Sequence, residues 1–224
     1  MKNIILLFSS ILFLLFFLNL QPKEKNIKYL ALGDGYTIGE SLKPENSWPN
    51  LLATKLEAEN KIAVETKIIA KAGWEIENVM NHLKIHAKGK YDIVSIMIGI
   101  NDYSSSNEIL KFKLKFEKII EMGLQPSKYG EKGLFVISLP DYSYSPKGQG
   151  NSKKIHNEIL IFNEAIEAIC LKNNILYIDI NDVYKRTKGN QDYLAPNKIH
   201  PSKTMYDLWV NVIYKSLLDN KIID

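Results

Sequence analysis

The sequence predicts an α/β protein, a three-layer α/β/α sandwich around a parallel five-stranded sheet. Five short apolar runs alternate with stretches whose apolar residues recur at helical spacing. The middle run, Tyr91–Ile98, is nearly continuous in apolar residues, as a strand buried on both faces requires. Every crossover between runs is helical, so the strands pair in parallel.

Taken in order, the first strand is expected at Lys28–Leu32 and leads into Gly33-Asp34-Gly35. A helix follows to about Asn60, with Ser47 as its N-cap and Pro49 in its first turn. Ala63–Ala70 is rich in β-branched residues and reads as the second strand. Ala72-Gly73-Trp74 then opens a helix carrying Ile76, Val79, Met80 and Leu83 on one face. Tyr91–Ile98 ends in Gly99-Ile100-Asn101-Asp102, followed by a polar loop over Tyr103–Asn107 and a helix with Phe112, Phe116, Ile119 and Ile120 inward. Gly133–Ser138 is the fourth strand. The loop after it, Leu139–Ser152, holds tyrosines that either line a binding rim or pack the loop. A helix with Ile155, Ile159, Phe162, Ile166 and Ile169 inward leads to the fifth strand, Ile175–Asp179. The last helix follows Asn197-Lys198-Ile199-His200-Pro201 and turns Met205, Leu208, Trp209, Val212 and Ile213 inward. The strand order is predicted as 2-1-3-4-5, a flavodoxin-like sheet, with ligands bound beyond the C-terminal strand ends.

Composition narrows the function. The 224 residues hold 46% apolar and 24% charged side chains, those of one globular domain, here residues 28–224. The 29 basic residues exceed the 25 acidic ones by four but are scattered, which argues against a nucleic-acid surface. The single cysteine, Cys170, excludes an intramolecular disulfide and sits at a buried helical position beside Ile166 and Ile169. His82 and His86 share a helix face but lack a third ligand, so they read as a solvated face, and neither metal nor cofactor is expected.

Residues 1–20 differ in kind. The run Ile4–Leu20 is interrupted only by Ser9, Ser10 and Asn19, and reads as a signal peptide or short membrane anchor. No small-residue cleavage site or lipobox cysteine follows it, and residues 21–27 form a linker. Lys23, Lys25 and Lys28 pull the orientation toward the cytoplasm. The expectation is nevertheless export, to a periplasmic or extracellular site, with attachment to the membrane through residues 4–20.

Four separated segments fall on the C-terminal side of the predicted sheet: Gly33-Asp34-Gly35, Ala72-Gly73-Trp74, Gly99-Ile100-Asn101-Asp102 and Asn197-Lys198-Ile199-His200. As an ordered set, with Ser47-Trp48-Pro49 and Ala195-Pro196 around them, they resemble the blocks of the SGNH hydrolases, also called the GDSL esterase/lipase family. The resemblance runs from Lys28 to Asn220. It implies the family's fold and carboxylic-ester hydrolysis by a serine, a histidine base and an orienting aspartate. It also implies an oxyanion hole made by Gly35, Gly73 and Asn101, His200 as the catalytic histidine, and Asp34 and Asp102 as supporting residues.

Two positions depart from that pattern. Gly35 stands at the nucleophile position without a side chain, and Asn197 stands at the triad-aspartate position without a charge. In serine proteases, loss of the serine costs about 10⁶ in rate and the aspartate-to-asparagine change about 10⁴. The expectation is therefore a catalytically impaired member that keeps a pocket for an ester, acyl or acetyl-sugar ligand. Two alternatives stand beside it. One is an esterase using a His200-activated water or a displaced hydroxyl such as Thr37 or Ser41. The other is a membrane-tethered scaffold that binds a partner. A nucleotide site lacks its glycine-rich signature after any strand.

Overall fold

The computed structural model describes residues 26–106 and 108–223; the expected leader or anchor at 1–20 lies outside them. Five parallel strands, β1 (Asn26–Gly33), β2 (Ala63–Ala70), β3 (Ile93–Met97), β4 (Leu134–Ile137) and β5 (Leu176–Ile178), pair in the order β2-β1-β3-β4-β5. This is the predicted order. β1 lies between β2 and β3, with Leu32 beside Ile69 on one side and Ile96 on the other. Every residue of β3 and β4 is buried, while edge strand β2 is half-exposed along most of its length. A parallel sheet covered on both faces has this profile.

Two helices, α2 (Trp48–Asn60) and α8 (Lys203–Asp219), pack together on one face. On the other lie α3 (Ile76–His86), α5 (Ile109–Leu124) and α6 (Ser152–Lys172), in contact in that order. The direction of winding reverses between β1 and β3, and right-handed crossovers then place the helices on opposite faces. Trp48 and Trp209, one from each helix of the first face, are fully buried with Leu52, Leu56 and Tyr206. In α8, Tyr206, Val210 and Leu217 are more deeply buried than the expected Leu208 and Val212, which are half-buried. The inward face is thus rotated slightly from the predicted one.

Two local expectations change. Ser47 is the N-cap of α2, but its hydroxyl donates to the Pro44 carbonyl instead of accepting from the helix. The segment expected as a polar loop over 103–107 is helical through Ser106, as part of α4 (Ile100–Ser106). Tyr103 anchors it: the ring is buried edge-on against Phe162 at 5.3 Å. The Ser104 and Ser105 hydroxyls fold back onto the Ile100 and Asp102 carbonyls. A helix this short draws its stability from such anchoring, which composition alone does not reveal. Cys170 is buried as expected, and burial pushes its thiol up to about 12.

Among the described residues no helix is long and apolar enough to cross a membrane.

Candidate functional site

The reversal point between β1 and β3 opens at the C-terminal strand ends, where ligands bind in sheets of this kind. There the four segments meet around a hollow of about 470 Å³. β1 ends at Gly33, and α1 (Gly35–Ile38) follows at once with Asp34 as its N-cap. Asp34 Oδ1 accepts the Tyr36 N–H at 2.9 Å. Burial pushes this carboxyl up to about 7, the charges of Asp102 and Glu40 add to the rise, and the Tyr36 N–H opposes it. Tyr206 of α8 donates its hydroxyl to the Tyr36 carbonyl at 2.7 Å, which ties the turn to the helix layer.

Gly73 follows β2 with φ +78°, a left-handed conformation that favours glycine, and a methyl group there would meet open space. Asn101, in α4, donates one amide N–H to the Trp74 carbonyl at 2.9 Å, which orients the side chain and leaves its second N–H for the pocket. Among the described residues, neither the Gly35 nor the Gly73 N–H meets a protein acceptor. Gly35, Gly73 and Asn101 therefore line one wall together, as the sequence groups them.

His200 lines the same hollow beside Gly35 and is 9% exposed. Its ring lies 4.3 Å from that of Tyr36. Its loop is held at both ends: the Ala195 N–H donates to the His200 carbonyl at 2.8 Å, and the Tyr184 hydroxyl to the Ile199 carbonyl at 2.7 Å. Asn197 Oδ1 accepts the backbone N–H groups of Ile199 and His200 at 3.2 and 3.1 Å. With its oxygen so committed, Asn197 turns its amide nitrogen to His200 Nδ1 at 2.8 Å. An NH₂ group only donates, so Nδ1 is the acceptor and the ring proton of neutral His200 resides on Nε2. Burial, with Lys147 adding, lowers the imidazole to about 4. Glu40 Oε2 lies 3.5 Å from His200 Nε2, on a side chain that is 41% exposed.

Sequence reasoning missed Glu40. Gly39, with φ +71°, ends α1 after one turn, and the returning chain bonds the Glu40 N–H to the Gly35 carbonyl at 3.0 Å. The side chain then lies over Gly35 and faces His200 Nε2 at 3.5 Å. A glycine four residues after Gly35, followed by a carboxylate, was the available signal. Tyr142 and Lys147, from the long loop after β4, also reach the pocket, whereas Tyr144 lies near His156 instead.

The remaining sequence candidates fall elsewhere. Asp102 is buried and accepts the Ile76 N–H at 3.0 Å, with Lys115 at 3.4 Å. It ties α4 to the start of α3 instead of facing the hollow. Burial raises its carboxyl, and the Ile76 N–H and Lys115 oppose the rise. Thr37 is buried and donates to the Met97 carbonyl at 3.3 Å, and Ser41 is exposed, so neither hydroxyl lines the pocket. His82 packs on Trp74 with ring centroids 4.2 Å apart. Among the described residues no cluster of three or more His, Cys, Asp or Glu could hold a metal ion.

Known structures share this frame. An acetylxylan esterase from Geobacillus stearothermophilus superposes with a TM-score of 0.66 at 16% identity, over 87% of this chain and 95% of that one. An α/β hydrolase from the metagenome of Lake Arreo, Spain, gives 0.67 at 16% identity, over 90% and 98%. The psychrotrophic esterase EstA from Pseudoalteromonas gives 0.63 at 17% identity, over 86% and 97%. At such identities the likeness establishes the fold. No curated protein sequence matches. The model of the GDSL-like lipase/acylhydrolase family does match, over residues 31–208, and takes in all four segments of the pocket. With that match over most of its length, the chain belongs to the GDSL-like lipase/acylhydrolase family.

Proposed function

We propose that this protein binds an ester- or acyl-bearing small molecule, an acetylated sugar being the foremost candidate, and that it forms no serine acyl-enzyme. One observation carries the reading. Gly35, Gly73 and Asn101 line the same hollow as His200, while position 35 offers no side chain to attack a carbonyl. Donors so arranged suit a carbonyl oxygen on which negative charge develops. The acetylxylan esterase among the structural neighbours supports an acetylated sugar as the ligand.

The proton position on His200 favours the same reading. A serine-type mechanism needs Nε2 free to accept a proton, and here the Asn197 amide holds the proton on that nitrogen. With its proton on Nε2, His200 is also ill placed to act itself as the base for a water. Calorimetric titration with acetylated xylo-oligosaccharide is expected to show binding that weakens in Asn101→Ala, and a fluorophosphonate probe is expected to leave the protein unlabelled. Stoichiometric labelling of any serine would overturn the absence of an acyl-enzyme. Failure to bind acetylated sugars and simple esters alike would overturn the ligand class.

A further inference from the structure

Glu40 occupies the place that chemistry in this pocket most needs filled. A methyl carbon added at Gly35 would lie 2.6 Å from Glu40 Oε2, 2.9 Å from His200 Nε2 and 3.6 Å from the Ala72 Cα. A serine hydroxyl would hang from that carbon, so the Glu40 carboxylate already reaches the volume a nucleophile would use. The imidazole is arranged to serve it. Asn197 donates to Nδ1, Nε2 carries the proton, and that nitrogen lies 3.5 Å from a carboxylate oxygen. An aspartate at position 197 would instead place the negative charge on the Nδ1 side; here the negative charge lies on the Nε2 side, toward the pocket.

We propose that Glu40 is the general base of a direct, water-based ester hydrolysis in this pocket, with His200 and Asn197 as positioning residues. The proposal rests on the ester-binding reading above. A water held between Glu40 and the bound carbonyl loses a proton to the carboxylate as its oxygen bonds to the carbonyl carbon. The carbonyl oxygen becomes an oxyanion facing Gly35, Gly73 and Asn101. Collapse of the adduct breaks the bond to the alkoxy oxygen, and the protonated Glu40 returns its proton there. A carboxylic acid and an alcohol leave, and Glu40 is again a carboxylate.

Direct attack by Glu40 on the carbonyl is the weaker route. The adduct would hold a carboxylate and an alkoxide as competing leaving groups, and the far less basic carboxylate departs first, regenerating the ester. Removing a positioned general base costs about 10²–10⁴ in rate.

The test uses p-nitrophenyl acetate and acetylated xylo-oligosaccharide. Wild-type protein is expected to hydrolyse them without a burst, and Glu40→Gln to lower kcat by about 10²–10⁴ with KM changed less than about threefold. Because position 40 is half-exposed, the glutamine is tolerated by the fold. Glu40→Ala with added formate should recover turnover, since a small carboxylate fits the vacated place. His200→Gln, which keeps an N–H donor, should retain more of kcat than His200→Ala. A single turnover in ¹⁸O-water should label the product acid and leave Glu40 unlabelled. An unchanged kcat in Glu40→Gln, no formate rescue, label in the Glu40 carboxyl, or no hydrolysis by wild type of an ester it binds would each overturn the base. Absence of binding by wild type and Glu40→Gln alike would instead strike the ester-binding reading.

Discussion

On one wall of the pocket, Gly73 and Asn101 present hydrogen-bond donors whose positions follow from backbone conformation and a single anchoring bond to the Trp74 carbonyl. The second wall, which adjoins Gly35, is His200, defined by what its two ring nitrogens meet, Asn197 on one side and Glu40 on the other. The first wall is a product of turns and depends little on charge. The second is a proton arrangement, and exchanging one amide for one carboxylate reverses it. On the proposed function, oxyanion donation and proton handling are separable, and substitutions test whether they are.

The largest expected effect comes from rebuilding the second wall. Gly35→Ser alone should yield little serine-type hydrolysis or fluorophosphonate labelling, because the Asn197 amide keeps the proton on Nε2. Adding Asn197→Asp should move it to Nδ1 and raise serine-type turnover about 10⁴-fold over the single variant. The new side chain must displace the flexible end of Glu40 and shift the His200 ring slightly. Equal activity of the two variants, measured with p-nitrophenyl acetate, would show that the tautomer does not control this wall.

Next in size is the first wall. Asn101→Ala should lower turnover about 10²–10³-fold, the cost of one oxyanion donor, and should leave formate rescue of Glu40→Ala intact when the two are combined. Loss of rescue in the double variant would mean that the walls act as one unit.

Tyr206→Phe probes what holds both walls in place. It leaves the Tyr36 carbonyl without its partner from α8, at a cost of about 1–3 kcal/mol measured by denaturant unfolding. Its activity should fall less than that of either pocket variant.

A separate effect, read as a pH dependence of stability, concerns the buried Asp34. Its carboxyl sits at about 7 in the folded chain against 3.8 normally. A group raised in this way contributes stability that is present below pH 3.8 and is lost as pH rises through about 7. Asp34→Asn keeps the acceptor for Tyr36 and cannot ionise. The variant should match wild type near pH 4 and melt higher above pH 7. His200, lowered to about 4 from 6.5, imposes the opposite slope between those values, but it does so in both proteins and cancels in the difference. A gap in melting temperature that does not change with pH would remove Asp34 as its source.

By itself the sequence determined the sheet, its order and the face on which the pocket lies. Period and burial are local properties: Tyr91–Ile98 reads as a doubly covered strand wherever it is placed, and helical crossovers dictate parallel pairing. It also brought Gly73 and Asn101 to one hollow, because both lie at strand ends that the topology brings together. Tertiary structure alone decided the rest. The helix at Ile100–Ser106 depends on Tyr103 finding Phe162, a contact between residues 59 positions apart. Asp102, next to Asn101 in the chain, turns away toward Ile76 and Lys115 because successive residues of a helix point about 100° apart. The orientation of the Asn197 amide is the local exception, set by two backbone donors in its own loop. Glu40 meets His200 across 160 residues only because Gly39 folds the chain back over Gly35. The charge facing His200 arises from a contact between distant segments, and no local pattern in the chain encodes it.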